Sequence, residues 1–145
     1  MPGSALYEKD FYAWANQQAA LLRAGDLSAA DIAHIAEEIE SMGKTEKREL
    51  VSRLIVLLKH LLKWQFQPKK RGASWEATII VQRSAIEQHF EDNPSLVATA
   101  DVAISRAYRD AMVEAAAETK LSKKTFPTVC PWSLEQITDE TFWPA

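Results

Sequence analysis

Leu50–Phe66 reads LVSRLIVLLKHLLKWQF, and this stretch decides the fold class. Leu50, Leu54, Leu57, Leu61 and Trp64 recur at helical spacing, and Val51, Ile55, Leu58, Leu62 and Phe66 widen the stripe well beyond a narrow seam. A helix apolar over so much of its circumference must be contacted on several sides, which places it at the centre of a helical bundle. A strand is excluded because the period is not two. A membrane span is excluded because Arg53, Lys59, His60 and Lys63 would be costly in hydrocarbon, and a span needs about 20 mostly apolar residues. Gln67-Pro68 supplies a stop, since the residue before proline is steered away from helical dihedrals. The helix is expected over Thr45–Gln65.

Upstream, Tyr7–Ala24 reads as a first helix with Phe11, Trp14, Gln18, Leu21 and Leu22 on one face, ended by Gly25. Ser28 or a neighbour is expected to cap a second helix running through Ser41, with Asp31 completing a box-like arrangement. Its buried face would be Ile32, Ile35, Ile39 and Met42, with Glu37 towards solvent and Glu38 at the border of the stripe. Gly43 is expected to end it, making the second helix and the central one neighbours in an antiparallel or steeply crossed hairpin.

Downstream, PKKRGA forms a basic loop before a fourth helix capped by Ser74, with Trp75, Ile79, Gln82 or Arg83, Ile86 and Phe90 along one side. Asn93-Pro94 opens a fifth, alanine-rich helix to about Thr119, where small side chains permit close helix approach. Phe126-Pro127 and Cys130-Pro131 then break regular structure. Ser133 and Gln136 form a capping box, and the tail ending in Phe142, Trp143 and Pro144 is too aromatic to be left in solvent. The expectation is one all-α domain over residues 1–145: five main helices with a folded C-terminal extension.

Size and composition bound the function. A 145-residue chain buries enough surface to fold without metal or disulfide help. The single cysteine, Cys130, excludes an internal disulfide and a zinc-type cysteine cluster, and favours a reducing, cytoplasmic setting. The start MPGSALYEKDF has neither the basic nor the apolar region of a signal peptide. The net charge of −3 is ordinary, but residues 44–83 carry ten basic residues against Glu46, Glu49 and Glu76, between two acidic flanks. That segment either neutralises itself in packing or presents a basic surface.

Few residues carry chemistry. His34 and Glu38 stand four apart and could share a metal with His60, although no HExxH or paired ExxH pattern accompanies them. Against that stands a half-buried His60 sharing a hydrogen bond with a carboxylate such as Glu38. No metal or cofactor is expected. Arg53, Lys59, Lys63, Lys69, Lys70, Arg71 and Arg83, with Trp64, Phe66 and Trp75, could form an aromatic-laced basic patch for nucleic acid. The acidic overall balance and the lack of a helix-turn-helix argue against it. Four unclustered glycines make no phosphate loop, and neither Ser74 nor Cys130 has the setting of a nucleophile. Cys130 reads as a small buried apolar residue.

The stretches LYEKDFYAWANQQAALLRAGDL (6–27), DIAHIAEEIESMGKTEKREL (31–50), SRLIVLLKHLLKWQFQP (52–68), SWEATIIVQRSAIE (74–87) and NPSL (93–96), with the closing ETKLSKKTFPTVCPWSLEQI (118–137) and Phe142, together resemble the bacterial domain-of-unknown-function family number twenty-nine. The resemblance covers essentially the whole chain and implies an all-helical domain without assigning an activity. The family's recurrent positions map onto Asp10, Trp14, Glu38, Gly43, Arg53, His60, Trp64, Trp75, Arg83 and Pro131, among others, while His34 stands where the family commonly has asparagine. That weakens the His34 metal idea and leaves Glu38, Arg53 and His60 as the polar set.

The leading functional expectation is a cytoplasmic helical protein-interaction module with a protein partner and no membrane. An acid–base or metal enzyme using Glu38 and His60, with Arg53 holding an anion, is the first alternative. Nucleic-acid binding through Lys69, Lys70, Arg71 and Arg83 is the second.

Overall fold

The computed structural model describes residues 2–145, with side chains from Ala5 onward. It is all-α: α1 (Pro2–Lys9), α2 (Phe11–Arg23), α3 (Ile32–Phe66), α4 (Ala73–Asp92), α5 (Ala100–Thr119) and α6 (Leu134–Thr138), with 3-10 turns at Pro68–Lys70, Pro94–Thr99 and Lys123–Thr125. The chain divides into two compact units, Met1–Glu46 and Lys47–Ala145.

Several helix boundaries differ from the sequence expectation; the fifth helix, expected from Asn93-Pro94, begins as a 3-10 turn over Pro94–Thr99 and is α-helical only from Ala100. The first expected helix is broken at Asp10, whose backbone leaves the helical region and whose side chain accepts the Ala13 N–H at 3.0 Å. A short carboxylate competing for backbone donors starts a new helix there. A further difference is larger. The two helices expected on either side of Gly43 are one helix of 35 residues. Gly43 keeps a helical backbone, because an isolated glycine costs only about 1 kcal/mol relative to alanine and the flanking Lys44, Glu46, Lys47 and Arg48 favour the helix. Gly25, by contrast, does end its helix. Its φ of +74° turns the chain so that the Asp26 N–H reaches back to the Leu21 carbonyl at 2.9 Å, a backbone turn that a Cβ would strain.

In the first unit the expected Ser28 cap is absent. The Ser28 hydroxyl donates to Asp26 at 3.0 Å inside the preceding turn, and Asp31 stands immediately before α3. Trp14 is the one large apolar side chain fully buried among the described residues of this unit. The expected burial of Ile32, Ile39 and Met42 is not found: they are 53%, 62% and 68% exposed.

The second unit holds the core foreseen from Leu50–Phe66. Leu50, Leu54, Leu57, Leu58, Leu61 and Leu62 are buried against Ile79 and Ile86 of α4 and Ala103, Ile104, Ala107, Ala111 and Ala115 of α5. The alanines at four-residue spacing leave room for the leucines to fill. Lys59 and Lys63 tie α3 to α5 through Glu118, at 2.9 and 3.1 Å, and Lys59 also reaches Glu114 at 3.2 Å. The basic centre of the sequence is in this part self-neutralised. α4 begins one residue before Ser74, with Gly72 rather than Ser74 at the cap. The Ser133/Gln136 capping box starts α6 as expected, and the tail folds back: Trp132 and Ile137 are buried in the core and Trp143 lies 4.7 Å from Trp64.

Candidate functional site

In the first unit, α1 and α2 are fastened to one edge of α3 by polar and aromatic groups. The Asp31 carboxylate accepts the Trp14 indole N–H at 3.1 Å and His34 Nδ1–H at 2.7 Å, through the same Oδ2. A carboxylate only accepts, so Nδ1 carries the proton of that bond. The Asp31 backbone N–H donates to the buried Gln18 Oε1 at 2.7 Å. Burial works against the Asp31 anion, yet the bonds from His34 and Trp14 outweigh it and hold its carboxyl below the ordinary range. The Tyr7 ring stacks on His34 with centroids 4.0 Å apart, and its hydroxyl donates to Glu38. That bond, with burial and the nearby Glu37, Glu38 and Asp31 charges, pushes the Tyr7 phenol up to about 12.

Asp31, His34 and Glu38 therefore define the packed edge of α3. Ile32, Ile35, Ile39 and Met42 lie roughly a quarter-turn further round the helix at alternating three- and four-residue steps. Ile35 is half-buried and the other three face out. The stripe is bordered by Glu38 on its packed side and by the exposed Glu40 on the other. Residues 1–46 carry eight acids against Lys9, Arg23 and Lys44, so this open apolar stripe sits on an acidic unit.

The three residues of the acid–base reading have separate partners. Glu38 takes the Tyr7 hydroxyl. Arg53 donates to Glu49 one turn back, at 3.1 and 3.2 Å. His60 turns Nδ1 to the Val56 carbonyl at 2.7 Å, in place of the expected bond to a carboxylate. Burial, with Lys63 and Lys59 nearby, pushes the His60 imidazole below its ordinary value despite that bond. The unbroken α3 sets the three at intervals of fifteen and seven residues, roughly four and two turns. His34 and Glu38, considered above as a metal pair, are likewise turned to different partners.

The four residues of the nucleic-acid reading do not form one basic face. Lys69 and Lys70 are exposed, but Arg83 is only 2% exposed. Its Nε donates to the Ile137 carbonyl at 2.8 Å and its Nη2 to the Phe142 carbonyl at 2.7 Å, and its guanidinium lies over the Trp143 ring. Arg71 donates to the Trp64 carbonyl at 2.7 Å and packs on the Trp64 ring. Both arginines hold the chain in place. Cys130 is half-buried, and burial pushes its thiol up, away from the reactive thiolate.

Sequence reasoning missed a second surface. In the second unit a trough of about 510 Å³ is lined by Leu50, Val51, Ala98, Val102 and Ala103, with the exposed Lys47 and Arg106 among its lining. A cavity of about 470 Å³ continues it past Arg48 and Ser52, sharing Lys47, Val51 and Arg106. Among the described residues these three cations make no side-chain ion pair or hydrogen bond. Their positions on α3 and α5 are some sixty residues apart, which no spacing rule brings together.

Taken together, the chain is an all-helical domain whose polar groups are mostly spent on holding helices and whose open surfaces are apolar with charged borders. It belongs to the family described as domain of unknown function DUF29, whose model matches residues 6–143. No curated protein and no solved structure matches the chain. Among the described residues no helix is long and apolar enough to cross a membrane.

Proposed function

We propose that this protein is a helical protein-interaction module whose docking surface is the open stripe Ile32–Ile35–Ile39–Met42 of α3. One observation carries the reading: α1 and α2 pack on the polar edge of α3 and leave its apolar stripe in solvent. Complete burial of each such side chain contributes about 1.5–3 kcal/mol, so a partner covering the stripe gains what the isolated unit forgoes. The three-and-four spacing fits a helical surface packed in the manner of a coiled-coil seam. The bordering Glu38 and Glu40 call for a basic rim on that surface. A cytoplasmic location is part of the proposal, supported by the single unpaired thiol of Cys130.

The test is a photo-crosslinking amino acid placed at Met42 or, as control, at the exposed Glu37 on the far side of the helix, in cells of the native host. A discrete protein adduct from position 42 and not from position 37, mapping to an apolar helical surface with basic neighbours, supports the module. Equal adducts from both positions, or none, would overturn it.

A further inference from the structure

The docking surface of α3 has a counterpart on the same chain. The stripe is convex and apolar, projects Ile32, Ile39 and Met42, and is bordered by carboxylates. The trough in the second unit is concave and apolar and is edged by Lys47, Arg48 and Arg106, none of which has a side-chain ion-pair partner among the described residues. Its wall residues Ala98–Arg106 span nine residues and the stripe Ile32–Met42 eleven, so both surfaces extend over two to three helical turns. Val102, which lines the trough, is 76% exposed, an apolar side chain left as open as those of the stripe.

We infer that the partner of the α3 stripe is a second copy of this chain, which receives the stripe in its basic-rimmed trough. The inference rests on the docking proposal above and names its occupant. Charge decides between the modes of self-association. Stripe against stripe would bring two acidic units, each with Glu38 and Glu40 at its border, face to face, and trough against trough would oppose six unpaired cations. Stripe into trough places Glu40 among Lys47, Arg48 and Arg106 and buries apolar atoms on both sides. Such a contact joins unlike surfaces, the stripe of one copy and the trough of the other.

Two variants separate the faces. Ile39→Ser/Met42→Ser removes the stripe and keeps the trough, while Lys47→Glu/Arg106→Glu reverses the trough rim and keeps the stripe. All four residues are exposed, so neither change touches the core. Sedimentation velocity from micromolar to hundreds of micromolar protein, at low and high salt, gives the masses. The wild type should associate with rising concentration, less at high salt. Each variant alone should weaken association by at least about tenfold. An equimolar mixture of the two should recover a 1:1 heterodimer that grows no further, because only one good stripe and one good trough remain. A wild type that stays monomeric throughout, a variant that associates as the wild type does, or a mixture that recovers nothing would overturn the inference. If the wild type is monomeric while the crosslinker at position 42 captures a different protein, self-association fails and the docking module stands. If both experiments are empty, both fail.

Discussion

The Tyr7 hydroxyl donates to the Glu38 carboxylate, 31 residues away, and this bond fixes which side of α3 the first unit covers. With Trp14 on Asp31 and Tyr7 stacked on His34, it commits α1 and α2 to the polar edge. The apolar stripe next to it is left open as a consequence. A hydrophobically packed hairpin would have done the reverse, covering Ile32, Ile39 and Met42 and leaving Glu38 to water.

The continuity of α3 makes a direct prediction at Gly43. A Cβ added there meets nothing within 4 Å, and the residue lies inside a helix. Gly43→Ala should therefore stabilise the protein by about 0.5–1 kcal/mol, read as a rise in the urea midpoint at unchanged slope. A sharp turn at Gly43 would give destabilisation instead. Gly25→Ala, at φ +74°, should lower the midpoint in the same assay.

Arg83 is the fastener of the C-terminal segment. Its loss would orphan the carbonyls of Ile137 and Phe142 and uncover Trp143. Arg83→Ala should cost about 2–4 kcal/mol in chemical denaturation, with hydrogen exchange rising first across residues 134–143. Arg83→Lys should recover less than half of that, since a single ammonium cannot span two carbonyls in the guanidinium fork. A surface role for Arg83 would leave stability unchanged in both.

His60 gives the pH dependence. Its folded-state value lies below the ordinary 6.5, so in the window just below 6.5 the unfolded chain binds the proton and the folded one resists it. The stability tied to neutral His60 is present above about 6.5 and is lost as pH falls through the depressed folded value. Denaturation midpoints should drop between pH 7 and 5, and His60→Gln should flatten that part of the curve. A carboxylate partner for His60 would give the opposite slope, with stability gained as the imidazole charges.

What was legible in the sequence follows from which forces are local. The broad leucine stripe of 50–66 identifies a core helix because burial on several sides needs apolar residues on several sides. Ser133 and Gln136 announce their cap because both partners lie within one turn. The stripe of Ile32, Ile39 and Met42 is equally periodic, and periodicity alone assigns it to a core. Nothing local reveals that Trp14, seventeen residues before Asp31, draws α2 to the neighbouring edge. Gly43 misleads for a related reason: a glycine signals a helix end only when the backbone turns left-handed, as at Gly25 and not here. Glu38, Arg53 and His60 are half-buried polar residues, but one continuous helix hands each to a different neighbour.

The most direct measurement is the accessibility of position 39 where the protein works. Single-cysteine proteins, Ile39→Cys and Glu37→Cys in a Cys130→Ser background, would be alkylated in intact native cells and again as dilute purified protein. The docking account predicts that Cys at position 39 reacts freely when purified and is protected several-fold in cells, while position 37 reacts alike in both. Equal reactivity of position 39 in cells and in dilute solution would contradict it.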